Sequence, residues 1–348
     1  MIRKSKWIEI HSPTEAAADV AARTLDGRLR LVAHYLPLAA GAADDDEEHV
    51  HQTRVSTRRA MTTLSIFEHL LTRKEAKWFR KKLKRVRKAA NDARDFDVLH
   101  ERLSERMEAS GDDLECEKLV AWINDQRCKA QKPIRKIAAR LDKKRYKRRA
   151  KQLVKRLRKR SKRDDFGTFG QLAHSRMREL VREFFAFEQH QLRDLETLHR
   201  FRVCGKHLRY AMEVFAGAFR REFREELYPQ IEALQDQLGK INDHAVARER
   251  FESWLAQADD ERRRALLRDL IDDEAAAVSR LQDQFLEEWT NGRVQGLRQR
   301  FLEELSPGEP VEVPNHTLSD REVPVLSAGL IVPSSAPIPP ADSFGTVR

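Results

Sequence analysis

The chain of 348 residues carries a net charge of +11, with 35% charged residues and only 13 glycines. That length supports a sizeable core, and the long stretches free of Gly and Pro argue for long helices and against sheets. No apolar run approaches the ~18 residues of a membrane span. The opening MIRKSKWIEIHSPTEAA has no secretory apolar segment, and Cys116, Cys128 and Cys204 lack metal-like spacing. A cytoplasmic, all-α protein with reduced thiols is expected.

Along the chain, Ser12-Pro13-Thr14-Glu15 reads as a capping box that opens a helix running to about Leu38. The acidic run Asp44 to Glu48 suits the start of the next helix, where the macrodipole favours negative charge. Thr72-Arg73-Lys74-Glu75 is a second capping box, so one helix ends near Leu71 and another starts at once. Helices are then predicted at 112–130 and 131–160 and, after the break at Asp164-Asp165-Phe166-Gly167, at 168–190, 193–220, 222–256 and 259–303. Pro229 is expected to kink the third of these last four or to set its first turn. Residues 306–348 hold eight of the twelve prolines and read as a disordered tail.

Charge is regional. Between Arg127 and Arg163 stand 20 lysines and arginines against the single acid Asp142, a local balance of +19, which leaves −8 for the rest of the chain. Such segregation suits a surface facing a polyanion.

Two stretches repeat each other. VHQTRVSTRRAMTTLSIF at 50–67 and LHRFRVCGKHLRYAMEVF at 198–215 align at an offset of 148 residues. His51 pairs with His199, Arg54 with Arg202, Val55 with Val203, Arg58 with Lys206 and Phe67 with Phe215. The same offset pairs Asp95 with Asp243 and Glu101-Arg102 with Glu249-Arg250, without a gap. An ungapped register of this length indicates internal duplication. On a wheel of 100° per residue, Arg54, Arg58, His51, Thr62 and Ser65 share an arc of about 40–120°. Val55 and Ile66 flank it on one side, Met61 and Leu64 on the other, while Gln52, Ser56, Ala60 and Thr63 form the opposite face. The second copy places Arg202, Lys206, His199, Tyr210 and Glu213 on the same arc. Cations held between apolar shoulders repel one another at i,i+4 and call for an anion. The competing explanation is that they snorkel or pair with acids of other helices. On the following helix Arg80, Lys84 and Arg87 recur beside the apolar stripe Phe79, Leu83 and Val86, so that this wall can reach the same hollow.

The doubled motif, His51-x-x-Arg54-Val55-x-x-Arg58-Arg59 with Arg94-Asp95 and His199-x-x-Arg202-Val203-x-x-Lys206-His207-x-Arg209-Tyr210 with Asn242-Asp243, resembles the CHAD domain, a helical domain named for its histidines. The resemblance spans about residues 7–300. It implies two four-helix bundles related by a pseudo-two-fold, with repeats at about 12–163 and 166–303 of a 1–305 domain. It also implies a basic cavity that binds inorganic polyphosphate, in a family not known for catalysis of its own; no metal or cofactor is expected. The contacts it implies are His51, Arg54, Arg58, Arg59, Arg94, His199, Arg202, Lys206 and Arg209. Met61 and His207 stand where the family often has Arg, and His207 makes the second repeat's charge pH-dependent. Polyphosphate granules or a polyphosphate-metabolising enzyme are the partners this reading allows, and no membrane is involved. The alternative is an RNA or other nucleic-acid binder acting through the basic 127–163 surface. Catalysis is disfavoured: no Gly-rich phosphate loop, Ser/His/Asp grouping or ExExK signature appears, and Asp92, Asp95 and Asp97 read as salt-bridge acids.

Overall fold

A computed structural model describes residues 5–41, 47–110, 114–143, 145–163, 165–187 and 189–306. Residues 44–46 of the acidic run and the Pro-rich tail beyond Ser306 lie outside the described residues. Ten α-helices account for nearly all of the rest: α1 Ala17–Gly41, α2 Glu47–Ile66, α3 Arg73–Ser110, α4 Leu114–Lys143, α5 Tyr146–Ser161, α6 Phe169–Phe184, α7 Leu195–Phe215, α8 Tyr228–Leu255, α9 Glu261–Glu288 and α10 Asn291–Leu305. Among the described residues there is no strand, only an isolated bridge between Ala16 and Thr168. None of these helices is long and apolar enough to cross a membrane.

That bridge displaces the first helix start. Glu15 Oε1 accepts from the backbone N–H of Ser12 at 3.3 Å, and Thr14 N–H donates to Ser12 Oγ at 3.1 Å, yet α1 begins only at Ala17. Backbone groups of residues 13–17 turn outward to residues 167–170 instead: Ala17 N–H donates to Gly167 O at 3.1 Å, and Phe169 N–H to Glu15 O at 2.8 Å. Gly167 holds φ +70° there, a conformation costly for any residue with a Cβ. The second capping box forms as expected, with Thr72 and Glu75 exchanging hydrogen bonds at 3.3 Å ahead of α3.

Two boundaries differ markedly from expectation. α4 runs straight through Pro133 and ends at Lys143, so the break falls at Arg145, whose φ of 55° is left-handed, and not near residue 130. Pro133 is exposed, and the carbonyl its ring frees can be met by water. The helix expected over 259–303 is two, α9 and α10, because Thr290 caps a new start by accepting from Arg293 N–H. Pro229 sets the first turn of α8, one of the two outcomes expected of it, after a single π-helical turn at Phe223–Leu227.

Helices α1 to α5 pack on one another in the pairs α1·α2, α2·α3, α3·α4 and α1·α5; α6 to α10 do so as α6·α7, α7·α8, α8·α9 and α6·α10. The contacts between these two sets include α1·α6, α2·α7 and α4·α9. The face of α2 that reads as small and polar, Ser56, Ala60 and Thr63, is buried, on the helix that packs closely with the alanine-rich α1. Burying such small side chains lets helix axes approach closely. Gly205 on α7 serves the same end, since a Cβ there would meet Gln235 Nε2 at 2.1 Å.

Apolar side chains form two clusters. The larger runs through both helix sets and includes Leu25, Phe67, Leu83, Phe184, Phe201 and Phe301. The smaller joins Phe96, Leu103, Trp122 and Ile123 to Phe251, Trp254 and Leu267, with Trp122 and Trp254 edge to face at 4.9 Å. It ties the α3–α4 hairpin to the α8–α9 hairpin. Arg94 and Asp95 immediately precede it on α3, and Asp243 stands four residues before its Ala247 on α8.

Candidate functional site

Helices α2 and α7 bring their repeated motifs face to face, with α3 alongside α2. Arg58 Nη1 donates to Tyr210 Oη across this junction at 3.2 Å. Arg54 lies within electrostatic reach of Arg58, Arg94, Asp95 and Asp243; burial first, then Arg58, pushes its pKa down from the ordinary guanidinium value to about 10. Arg202 is likewise pushed to about 10 by burial and by Arg58 and Arg54, although Asp243 opposes the shift. Burial holds the Lys206 ammonium well below its usual value, helped by Arg202 and Arg58. Burial also lowers Arg87, with Arg58 adding to it, and lowers His207, with Arg87 adding to it. Seven groups from three helices thus converge: Arg54, Arg58, Arg87, Arg94, Arg202, Lys206 and His207.

Acids do little to neutralise Arg54, Arg58, Arg87, Arg202 and Lys206. Among the described residues no carboxylate lies within 4.0 Å of Arg54, Arg58, Arg87 or Lys206, and Arg202 reaches Asp243 only at 4.0 Å. Arg94 sits 3.9 Å from Glu101. Arg202 Nε is buried with no hydrogen-bond partner. Like charges gathered where they are partly desolvated oppose folding, and an anion would relieve them.

Two histidines stand at the edges. His51 is exposed at the rim; the shielded part of its ring lowers its pKa, as do Arg94, Arg54 and Arg58, against Glu48. His199 Nδ1 is 2.8 Å from Asn242 Oδ1, which opposes the lowering by burial, Arg202 and Lys206.

Other cations named from the sequence are engaged elsewhere. Arg59 forms a fork on Glu213, Nε to Oε2 at 2.6 Å and Nη2 to Oε1 at 3.1 Å. Arg209 donates to Tyr228 Oη at 3.1 Å and Glu232 at 3.2 Å, and sits 3.7 Å from Glu213. Arg80 pairs with Glu68 at 2.5 Å, and Lys84 is exposed with no ion pair among the described residues. Sequence reasoning grouped Arg59, Arg80 and Arg209 with the anion contacts, whereas each is held by a native carboxylate. It missed Glu213, 1% exposed, as the acid that clamps α2 to α7. The signal was there: Glu213 is the one acid on the repeated arc, opposite Ser65 of the first copy. A buried carboxylate with two guanidiniums and a phenol in range is structural first, because removing it would strand buried charge.

The helical fold and this doubled cluster define a known class. A family model for the CHAD domain matches residues 23–252, and the chain belongs to the CHAD domain family. The crystal structure of the CHAD domain from the plant Ricinus communis is similar, with a TM-score of 0.58 and 21% identity over 85% of this chain and 95% of that one. At that identity the likeness is one of fold. No curated protein is matched by this sequence.

Proposed function

We propose that the cleft between α2, α3 and α7 binds inorganic polyphosphate and holds it without chemical change. One observation carries this reading: Arg54, Arg58, Arg202 and Lys206 lie within electrostatic reach of one another with scant acid to balance them. A phosphate chain supplies a row of closely spaced charges, each a good acceptor for a guanidinium fork. Because the site recruits several cations at once, orthophosphate binds far more weakly than a long chain. The contact set is Arg54, Arg58, Arg87, Arg94, Arg202, Lys206 and the three histidines; Arg59 and Arg209 position the helices through Glu213.

The duplication belongs to this reading. α2 begins at Glu47 and α7 at Leu195, 148 residues apart as the motifs are, and each later pair from α3/α8 to α5/α10 follows in the same order. Contacts between equivalents, α1·α6, α2·α7 and α4·α9, support an approximate two-fold through the cleft. On this reading each half comprises five of the α-helices among the described residues.

A second reading draws on α5, whose exposed face carries Lys147, Arg148, Lys151, Lys155, Arg158 and Lys159. Such a surface suits RNA backbone. Gel-shift titration with long-chain polyphosphate in the presence of RNA at equal phosphate concentration separates the two. Polyphosphate retained against the competitor supports the cleft; displacement by RNA supports the α5 surface and defeats the proposal.

A further inference from the structure

A pocket of about 490 Å³ lies away from the cleft, where the first turns of α3 meet α5. Lys74 and Trp78 of α3, Arg145 at the junction, and Arg148, Arg149 and Arg156 of α5 line it. The one acid in its wall, Glu75, is already occupied: it accepts from Thr72 N–H and Oγ1–H at 3.3 and 2.7 Å and pairs with Arg156. Among the described residues no carboxylate lies within 4.0 Å of Lys74, Arg145, Arg148 or Arg149.

The cations here are also placed. The Arg149 guanidinium sits over the Trp78 ring, 4.7 Å from its centroid, and Trp78 in turn stacks near the buried Tyr146 at 6.3 Å. A guanidinium held on a half-buried indole gives up less conformational freedom on meeting an anion than a free side chain would. A solvated charged face scatters its cations and mixes signs; this one converges them on a concavity of the size that takes small ligands.

We propose that this pocket is a second anion site, selective for a compact run of adjacent phosphates such as the end of an oligophosphate or the triphosphate of a nucleotide. It does not rest on the polyphosphate reading of the cleft, and none of its residues belongs to that cleft. Arg145, Arg148 and Arg149 fork onto phosphate oxygens, Lys74 adds a point charge, and Trp78 both orients Arg149 and offers a face beside it.

Calorimetric titration of the full chain with tripolyphosphate, and separately with ATP, tests it. The expected result is binding that survives Arg54→Ala/Arg202→Ala but weakens by about tenfold for each arginine replaced in Arg148→Glu/Arg149→Glu. Both arginines are exposed, so the double variant keeps its far-ultraviolet dichroism. An independent readout is tryptophan emission, which changes on ligand addition in the wild type and not in Trp78→Phe. Equal affinity for the two ligands assigns recognition to the phosphates alone, and tighter ATP binding adds the base; either outcome supports the site. No binding at millimolar ligand, unchanged binding by the double variant, or loss of binding in the cleft variant overturns it, and loss in the cleft variant alone would leave the cleft reading intact.

Discussion

Arg54 carries its charge into a setting that disfavours it, and the consequence can be measured without any ligand. The fall of its pKa from the ordinary guanidinium value to about 10 corresponds to roughly 3 kcal/mol against the protonated form. The sign follows from linkage: a basic group whose folded pKa lies below its unfolded value destabilises the fold at every pH below about 10, and the penalty disappears only above the pKa of the unfolded guanidinium. At pH 7 the full penalty applies. Arg54→Met removes the charge, keeps most of the volume, and is expected to raise stability by up to about 3 kcal/mol. For roughly 300 ordered residues this is on the order of 5 °C in Tm. Scanning calorimetry in phosphate-free buffer reads it directly. A Tm lowered by several degrees would show that Arg54 is held by favourable native contacts, and the argument from unrelieved charge would fail.

Removing the acid that clamps the helices has the opposite sign. Glu213→Gln is expected to destabilise by about 3–5 kcal/mol, seen as a lower urea midpoint, because Arg59 and Arg209 lose a carboxylate that is 1% exposed; an unchanged midpoint would contradict the clamp. His51, His199 and His207 all have pKa values lowered from 6.5, so they are neutral at pH 7.5. Polyphosphate affinity is therefore expected to rise only as pH falls below 6.5, and His51→Gln/His199→Gln/His207→Gln flattens that profile in titrations at fixed salt. Gly205→Ala forces a Cβ against Gln235 and Phe184 and is expected to cost about 1–3 kcal/mol, read as a lower Tm.

Much of this fold was legible because helix signals are local. Thr72-x-x-Glu75 names its own helix start, and the wheel of 50–67 places Arg54 and Arg58 between the apolar shoulders where they are found. What failed depended on neighbours distant in sequence. Ser12-x-x-Glu15 makes its capping turn, but residues 13–17 are claimed by backbone groups of 167–170, and that pairing has no sequence signature. Pro133 looks like a breaker until its exposure is known. Arg59 and Arg209 look like anion ligands until Glu213, brought in by α2·α7 packing, takes them both. Net charge on a helix face is readable; the identity of the partner is a property of the tertiary structure.

The central proposal is that the cations of α2 and α7 await a phosphate polymer. Its most direct test is the affinity of the full chain for long-chain polyphosphate across a salt series, compared with Arg54→Ala/Arg58→Ala/Arg202→Ala/Lys206→Ala. The prediction is a loss of a hundredfold or more (about tenfold for each cation removed, before the remaining groups compensate) with a shallower salt slope, since fewer counterions are released. An affinity and slope equal to those of the wild type in a folded quadruple variant would contradict it.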